Sequence, residues 1–502
     1  MFFLFVFLPA FGLTYLAATW IDGERRKESD LVGEHTFGNA VLVAFSLIFY
    51  AWGEPVYVLL MIGCVVLNYV AGRGIDALQG GKRKAALTAG VAGNIAILGT
   101  FKYAGFLAEQ WNSLCQGWQI PDRLFGMDLW ETPFSGTDLM VSVPKIALPI
   151  GISFYTFQSL SYLVDVYRQE APVQKGFGGL LLYISMFPQL IAGPIVRYNT
   201  VAREIGHRRV TADDVSEGIY RFMVGLGKKV ILANQLSEIS DQFLAGGLGS
   251  VTTTGAWTGI VAFTLQIYFD FSGYSDMAIG LGRCLGFHFN ENFRHPYCCR
   301  TITDFWRRWH ISLGSFFRDY VYIPMGGNRR HQAVNILVVW FLTGLWHGAS
   351  WNFVIWGVYF GLIVTLEKYT VLKVERRVAE SSIGHYLLSP LLHLYSLALV
   401  VIGWGIFYFD DSARMTAFFE RAFGMTGSLH DFVTVAALTD HAWLWVTCVV
   451  LCLPIRGWLE SWLAKHSVLQ LLERVAVSAV LLGLSVALLV GATNNAFIYT
   501  RF

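Results

Sequence analysis

Charge is what this sequence has least of. Asp, Glu, Lys and Arg make up 14% of its 502 residues, against about 25% in an average soluble domain. A water-soluble chain of this length needs far more charge to cover its surface. A soluble enzyme, a disordered protein and a DNA-binding module are therefore excluded. The two signs almost cancel, 37 Lys and Arg against 35 Asp and Glu, so no general attraction to nucleic acid follows. Cysteine is sparse and unpatterned. Cys64, Cys115, Cys284, Cys298, Cys299, Cys448 and Cys452 are odd in number, lie mostly in apolar runs and show no zinc spacing. They are expected to be reduced packing residues, and no metal is expected. The opening MFFLFVFLPAFGLTYLAATW lacks the basic start of a signal peptide and is expected to remain as a first span. With no linker or internal repeat, residues 1–502 are expected to form a single membrane domain.

What is present is apolar and aromatic: 55% hydrophobic residues, with 17 Trp, 22 Tyr and 38 Phe. Runs with little or no charge cover 1–21, 36–53, 55–72, 85–101, 146–164, 177–196, 242–269, 333–366, 386–409, 442–455 and 475–500. A further stretch at 218–236 is interrupted by Lys228 and Lys229. The expectation is an all-α polytopic membrane protein with about 11–13 transmembrane or re-entrant helices, since a full span takes about 20 apolar residues. The shorter runs suggest re-entrant elements, tolerated where protein or a water-filled cavity surrounds them. Orientation follows from Lys and Arg in short loops. Arg25, Arg26 and Lys27 follow the first run, and Arg73, Lys82, Arg83 and Lys84 follow the third. Both loops are expected to be cytoplasmic. The N-terminus, the 108–145 loop and the C-terminus then fall outside, while 197–217, 288–332, 367–385 and 456–474 fall inside.

Residues 293–331 hold the densest arginine patch: Arg294, Arg300, Arg307, Arg308, Arg318, Arg329 and Arg330. Thr301 with Asp304 three positions on resembles a capping-box start. Ile302, Trp306, Trp309, Leu313 and Phe317 then recur at helical spacing. The periodicity predicts one amphipathic helix lying flat at the inner membrane surface, with His310 at the edge of its apolar face and pointing inward. Two readings of the arginines stand. They neutralise anionic lipid, or Arg307, Arg308, Arg318 and Arg329 converge on the phosphates of a soluble anionic cofactor. In the second reading the turn at Gly326 and Gly327 supplies backbone donors.

The run 333–366 has both flanks on the expected cytoplasmic side, so it must turn back on itself. Each half of about 16 residues reaches only about 24 Å at 1.5 Å per residue, short of the roughly 30 Å hydrocarbon core. The apex therefore lies inside the membrane. His347, in Leu345-Trp346-His347-Gly348, sits near that apex, about 20 Å above the inner surface. An ionisable residue there needs a partner or a cavity. It is a histidine hydrogen-bonded between helices, a proton relay or haem ligand, or a general base working near neutral pH. His393, also in an apolar run, is expected to be structural.

Several stretches resemble the membrane-bound O-acyltransferase family. They are Tyr103 in FKY, PQLIAGPIVR at 188–197, FDFSGYSDMAIG at 269–280, DFWRRWHISL at 304–313, FRDYVYIPMGGNR at 317–329 and LWHGASWNFVIWG at 345–357. Within the family they resemble the bacterial branch that acetylates cell-surface polysaccharides, of the alginate type. The resemblance spans most of the chain. Its one departure, Gly314-Ser315 before the aromatic-Arg-Asp run, touches no catalytic position. The resemblance implies helices around a central tunnel, with 293–366 as the catalytic region. It implies His347 as the catalytic residue and His310 near the cytoplasmic mouth. It further implies acetyl-CoA as donor, a periplasmic SGNH-type acetyltransferase as partner, a link to polysaccharide synthesis or export machinery, and a place in the bacterial inner membrane. Relatives that move D-alanine from a carrier-protein thioester are the alternative. A transporter or haem-binding membrane protein is the alternative of a different class.

The tail 494–502 ends Phe497-x-Tyr499-x-x-Phe502. Tyr499 lies 25 positions beyond Arg474, about 37 Å if helical throughout, and so is expected to emerge outside. Aromatic residues there read as an interfacial belt. The pattern also resembles the FxYxxF acyl-tyrosine motif of the same branch, which implies Tyr499 as an acetyl carrier.

Overall fold

A computed structural model describes residues 1–28, 35–116, 147–373, 382–455 and 467–490, with short pieces between 119 and 141 and the single residues 375 and 457. Tyr499 and the rest of the 494–502 tail lie outside the described residues. The architecture is all-α. Among the described residues the exceptions are two tiny hairpins in the 108–145 segment, Gln119–Ile120 with Phe134–Ser135 and Arg123–Leu124 with Met127–Asp128.

Among the described residues, seven helices are long and apolar enough to cross a bilayer: Phe3–Gly23, Thr36–Gly53, Tyr57–Ala77, Gly80–Cys115, Trp351–Lys373, Leu388–Tyr408 and Val468–Val490. An eighth is broken, Phe432–Asp440 followed by Ala442–Cys452 at 61°. The other apolar stretches form shorter or charge-bearing helices, among them Ile152–Arg168, Phe177–Ser185, Ala212–Gly227, Thr253–Cys284 and Gln332–His347. The chain is thus an all-α polytopic membrane protein.

Helix Thr253–Cys284 is buried along most of its length and starts where the Thr252 side chain accepts from the Gly255 amide. Glycines seven apart let a neighbour approach it closely. A Cβ on Gly218 or Gly225 would run into the backbone at Gly280 or Gly273, and the reverse holds. Small residues at such contacts are how helices pack where water supplies no drive. Lys228 and Lys229, the two charges that interrupt the 218–236 stretch, sit in a π-helical turn, Lys228–Ala233. Each meets a carboxylate on Thr253–Cys284: Lys228 reaches Asp276 at 2.7 Å and Lys229 reaches Asp270 at 2.7 Å. Pairing of this kind makes intramembrane charge tolerable. All seven cysteines are free thiols, in keeping with their reading as packing residues.

The arginine-rich segment departs from the single flat helix. Thr301 accepts from the Asp304 amide at 3.0 Å and starts helix Ile302–Arg308 as predicted. That helix stops at Trp309, and His310 takes a left-handed φ of 45°. A second helix, Ile311–Phe317, then begins. The apolar face packs into protein: Ile302, Trp309, Leu313 and Phe317 are buried and Trp306 is half-buried. Periodicity alone missed the break because the apolar spacing continues across it.

Candidate active site

The run 333–366 forms the expected hairpin. Helices Gln332–His347 and Trp351–Tyr369 meet at Gly348–Ser350. Their contact depends on glycine: a Cβ on Gly344 would collide with the Phe353 carbonyl, and one on Gly357 with the Trp340 carbonyl. His347 is therefore the last residue of a helix that ends inside the protein, buried at 6% exposure. Aromatic rings surround it, with centroids at 4.9 Å for Trp346, 5.0 Å for Trp356 and 5.3 Å for Phe407.

His310, read as pointing inward, is 2% exposed. Its ring lies 5.6 Å from Trp346 and 4.7 Å from Phe271. The Trp346 ring thus touches both histidines, which a separation of 37 positions in sequence could not reveal. Asn292 holds His310. Its amide oxygen accepts from the Ser312 hydroxyl at 2.8 Å and the Ser312 amide at 3.3 Å, and lies 3.0 Å from His310 Nδ1. Its amide nitrogen donates to Ser275 at 3.0 Å. With an oxygen facing it, Nδ1 must be the donor, so Nε2 carries the lone pair. Nε2 has no hydrogen-bond partner among the described residues. Burial without an acidic partner pushes the imidazole below its ordinary range and keeps it neutral. The strained φ of His310 is clamped on both sides, where the Arg294 amide donates to Arg308 O at 2.9 Å and the Ile311 amide to Asn292 O at 3.0 Å. A non-glycine residue held in this region is a mark of sites built for a task.

One residue ties the two histidine-bearing segments together. Glu367, near the end of the hairpin, is fully buried. It accepts from the Ile302 amide, the Thr303 amide and the Thr303 hydroxyl, each at 2.7 Å. A carboxylate on the free amides of a helix start is favourable for both hydrogen bonding and the helix dipole. Sequence reasoning passed over Glu367, because its partners lie more than sixty positions away.

The arginines do not converge as bare cations. Arg308 pairs with Asp304 at 2.9 Å, and Arg318 with Asp319 at 2.6 Å. Asp319 also holds Arg197 at 2.7 Å, and the Arg168 and Arg197 guanidiniums each lie 5.4 Å from the Tyr320 ring. Burial works to raise the Asp319 carboxyl, but hydrogen bonds from Arg318 and Arg197 outweigh it and hold it below the usual carboxylate range. Arg307 and Arg329 are exposed. The glycine turn corrects the expectation placed on it. The Gly326 amide donates to Ile323 O at 3.0 Å and the Gly327 amide to Tyr322 O at 2.9 Å. Both donors serve the turn itself and are not free for phosphates. Positive φ values of 108° and 54° make glycine necessary there.

A polar cavity of about 420 Å³ opens beside Asn292, lined also by Arg221, Lys228, Asp276 and Glu291. Arg221 bonds Asp276 at 3.0 Å and Glu291 at 2.5 Å. Sequence reasoning saw Lys228 only as an interruption, and Asp276 only within a family stretch. Half-buried polar groups from segments far apart in sequence converge here beside the buried Asn292, and no spacing rule reports that.

The profile of the MBOAT, membrane-bound O-acyltransferase family, matches residues 125–388. A probable alginate O-acetylase of Pseudomonas aeruginosa is 40% identical, over 84% of this chain and 74% of that protein. A peptidoglycan O-acetyltransferase of Helicobacter pylori is 33% identical, over 66% of this chain and 64% of that protein. A teichoic acid D-alanyltransferase of Bacillus subtilis is 26% identical, over 43% of this chain and 58% of that protein.

Proposed function

Because the chain belongs to the membrane-bound O-acyltransferase family, we propose that it takes an acetyl group from acetyl-CoA at the cytoplasmic face of the bacterial inner membrane and passes it outward for O-acetylation of a polysaccharide. It is an acyltransferase enzyme, and the finer reading rests above all on one observation. Two buried histidines, His310 and His347, both touch the ring of one indole, Trp346, inside a helical membrane protein.

The chemistry asks little beyond a base. A thioester carbonyl is already electrophilic. His347 takes the proton of an acceptor hydroxyl as its oxygen attacks the carbonyl carbon. The carbon–sulfur bond then breaks, and the thiolate leaves and recovers the proton. General base catalysis of this kind is worth about 10²–10⁴-fold. His310 lines the path and orients the donor. Arg307, Arg308, Arg318 and Arg329 hold the donor phosphates at the cytoplasmic mouth; the carboxylate pairs of Arg308 and Arg318 are exposed enough for a phosphate to compete, since such pairs are worth about 0–1 kcal/mol. Membrane lipid is the other claimant on these arginines.

The acceptor is Tyr499. A phenol with a pKa near 10 makes an ester that passes its acetyl group on more readily than an alkyl ester. A periplasmic SGNH-type acetyltransferase then collects the group for the polymer, alongside the polysaccharide synthesis or export machinery. Both termini are extracytoplasmic. Alginate leads as the polymer, because relatives named for it cover most of the chain. Carrier-linked D-alanine is the weaker reading, because the relatives named for it align over less than half of the chain.

Purified protein is incubated with acetyl-CoA, and the C-terminal peptide is read by mass spectrometry. An acetyl group on Tyr499 is expected in the wild type and none in His347→Gln, which keeps the volume and loses the base. Normal turnover in His347→Gln refutes the base. Normal polymer acetylation by Tyr499→Phe refutes the carrier.

A further inference from the structure

The last carbonyls of a helix have no partner within it, and they form its negative pole. Helix Gln332–His347 ends this way inside the protein, on the residue that matters most. Its final carbonyls are taken by one short piece of a different helix. The Tyr103 hydroxyl donates to Leu345 O at 2.6 Å. The Lys102 ammonium donates to Trp346 O and, at 3.3 Å, to His347 O. Its third donor reaches the Ser153 hydroxyl at 3.1 Å. Lys102 and Tyr103 stand 244 and 242 positions from Trp346 and Leu345.

Two independent features mark this contact. Lys102 lies within the apolar helix Gly80–Cys115, where a lysine is expensive unless it meets carbonyls or a cavity. It also lies in a π-helical turn, Gly99–Tyr103, a local irregularity frequent at functional sites. An ammonium has three donors and no acceptor. Here it reaches two carbonyls and a hydroxyl from two other elements at once.

Resting on the reading of His347 as the base, we propose that Lys102, seconded by Tyr103, is a positioning residue for His347. It fixes the C-terminal turn of the His347 helix and thereby the place of the imidazole. Lys102 bonds the backbone of that turn and not the reacting atoms, so its effect falls on turnover more than on donor binding. A misplacement of about 1 Å is enough to lose about 10²-fold.

The full chain is tested in lipid nanodiscs with acetyl-CoA as the probe, following the first-turnover release of CoA, one per protein because no partner unloads Tyr499, for wild type, K102M, K102R, Y103F and H347Q. K102M is expected to lower the saturating first-turnover rate about 10- to 100-fold, with the half-saturating donor concentration within about twofold. K102R keeps the charge and donors and is expected to recover most of the loss, and Y103F to lose less than K102M. In a second measurement, amide hydrogen exchange over 341–352 is expected to rise in K102M and stay at the wild-type level in K102R. A wild-type first-turnover rate in K102M overturns the proposal. So does an equal loss in K102M and K102R with unchanged exchange. If the wild type releases no CoA, or H347Q releases it normally, the base reading fails instead. The exchange difference between K102M and K102R then decides alone whether Lys102 holds the helix end.

Discussion

Asn292 faces His310 with a neutral oxygen, and changing that oxygen to a carboxylate tests why. In Asn292→Asp the shape is kept, and the bonds from the Ser312 hydroxyl at 2.8 Å and the Ser312 amide at 3.3 Å are retained. The atom 3.0 Å from His310 Nδ1 now carries charge. Two unit charges about 4 Å apart interact by about 4 kcal/mol at an effective dielectric of about 20. Each unit of pKa corresponds to about 1.36 kcal/mol, so that figure bounds the shift near three units, and carboxylate partners ordinarily give about one to three. The sign is upward, because the carboxylate favours the imidazolium. Protonated His310 turns Nε2 from an acceptor into a donor. Burial holds the wild-type His310 at about 3, so a rise of about one to three units brings it to about 4 to 6. The expected result is an acid limb of kcat/KM, measured from about pH 4 to 8 with acetyl-CoA, at least about one unit higher than in the wild type, with activity recovering toward neutral pH. Asn292→Ala is the control. It leaves His310 Nδ1 and the hydroxyls of Ser312 and Ser275 without this partner, at about 1–3 kcal/mol for each buried group left unsatisfied. It should lower activity without moving the limb. Equal, pH-independent losses in the two variants, or a wild-type profile in Asn292→Asp, refute the view that a neutral His310 is what Asn292 maintains.

Arg307→Ala and Arg318→Ala should each raise the KM for acetyl-CoA more than they lower kcat, and the wild-type KM should rise with salt as screening strengthens; unchanged donor binding assigns the patch to lipid. Gly357→Ala drives a methyl into the Trp340 carbonyl and should destabilise the hairpin by about 1–3 kcal/mol, read as a lower melting temperature in detergent. Gly63→Ala, where a Cβ meets nothing within 4 Å, should leave it unchanged. Asp319 has a folded pKa held below the unfolded one, so its stabilisation is present above the unfolded value, about 3.9, and is lost as pH falls through the folded value. Asp319→Asn should therefore melt below the wild type at neutral pH, and the gap should close in acid; a gap that persists below both values removes the ion pair as its cause.

Near neighbours along the chain and bulk composition already fix several features of this protein. Low charge and long apolar runs required a membrane, because exposed hydrocarbon on this scale has no other solvent. The apolar run 333–366, with both flanks expected on one side, called for a turn within it, and that put His347 near an apex. Thr301 and Asp304 marked a helix start because a cap acts across three residues. The tertiary structure decided the rest. It broke the predicted amphipathic helix at His310, where a bond from the Ile311 amide to Asn292 O and one from the Arg294 amide to Arg308 O hold a left-handed φ that local propensity opposes. It brought His310 and His347 to the same indole, set Glu367 on a helix start 65 positions away, and closed the glycine turn on its own amides. It also gave Lys102, which in sequence merely follows the 85–101 run, two carbonyls of the His347 helix. These contacts are made by hydrogen bonds of about 3 Å, which act only at contact. Which groups come into contact is set by helix packing across the whole chain, and no spacing within a single segment encodes it.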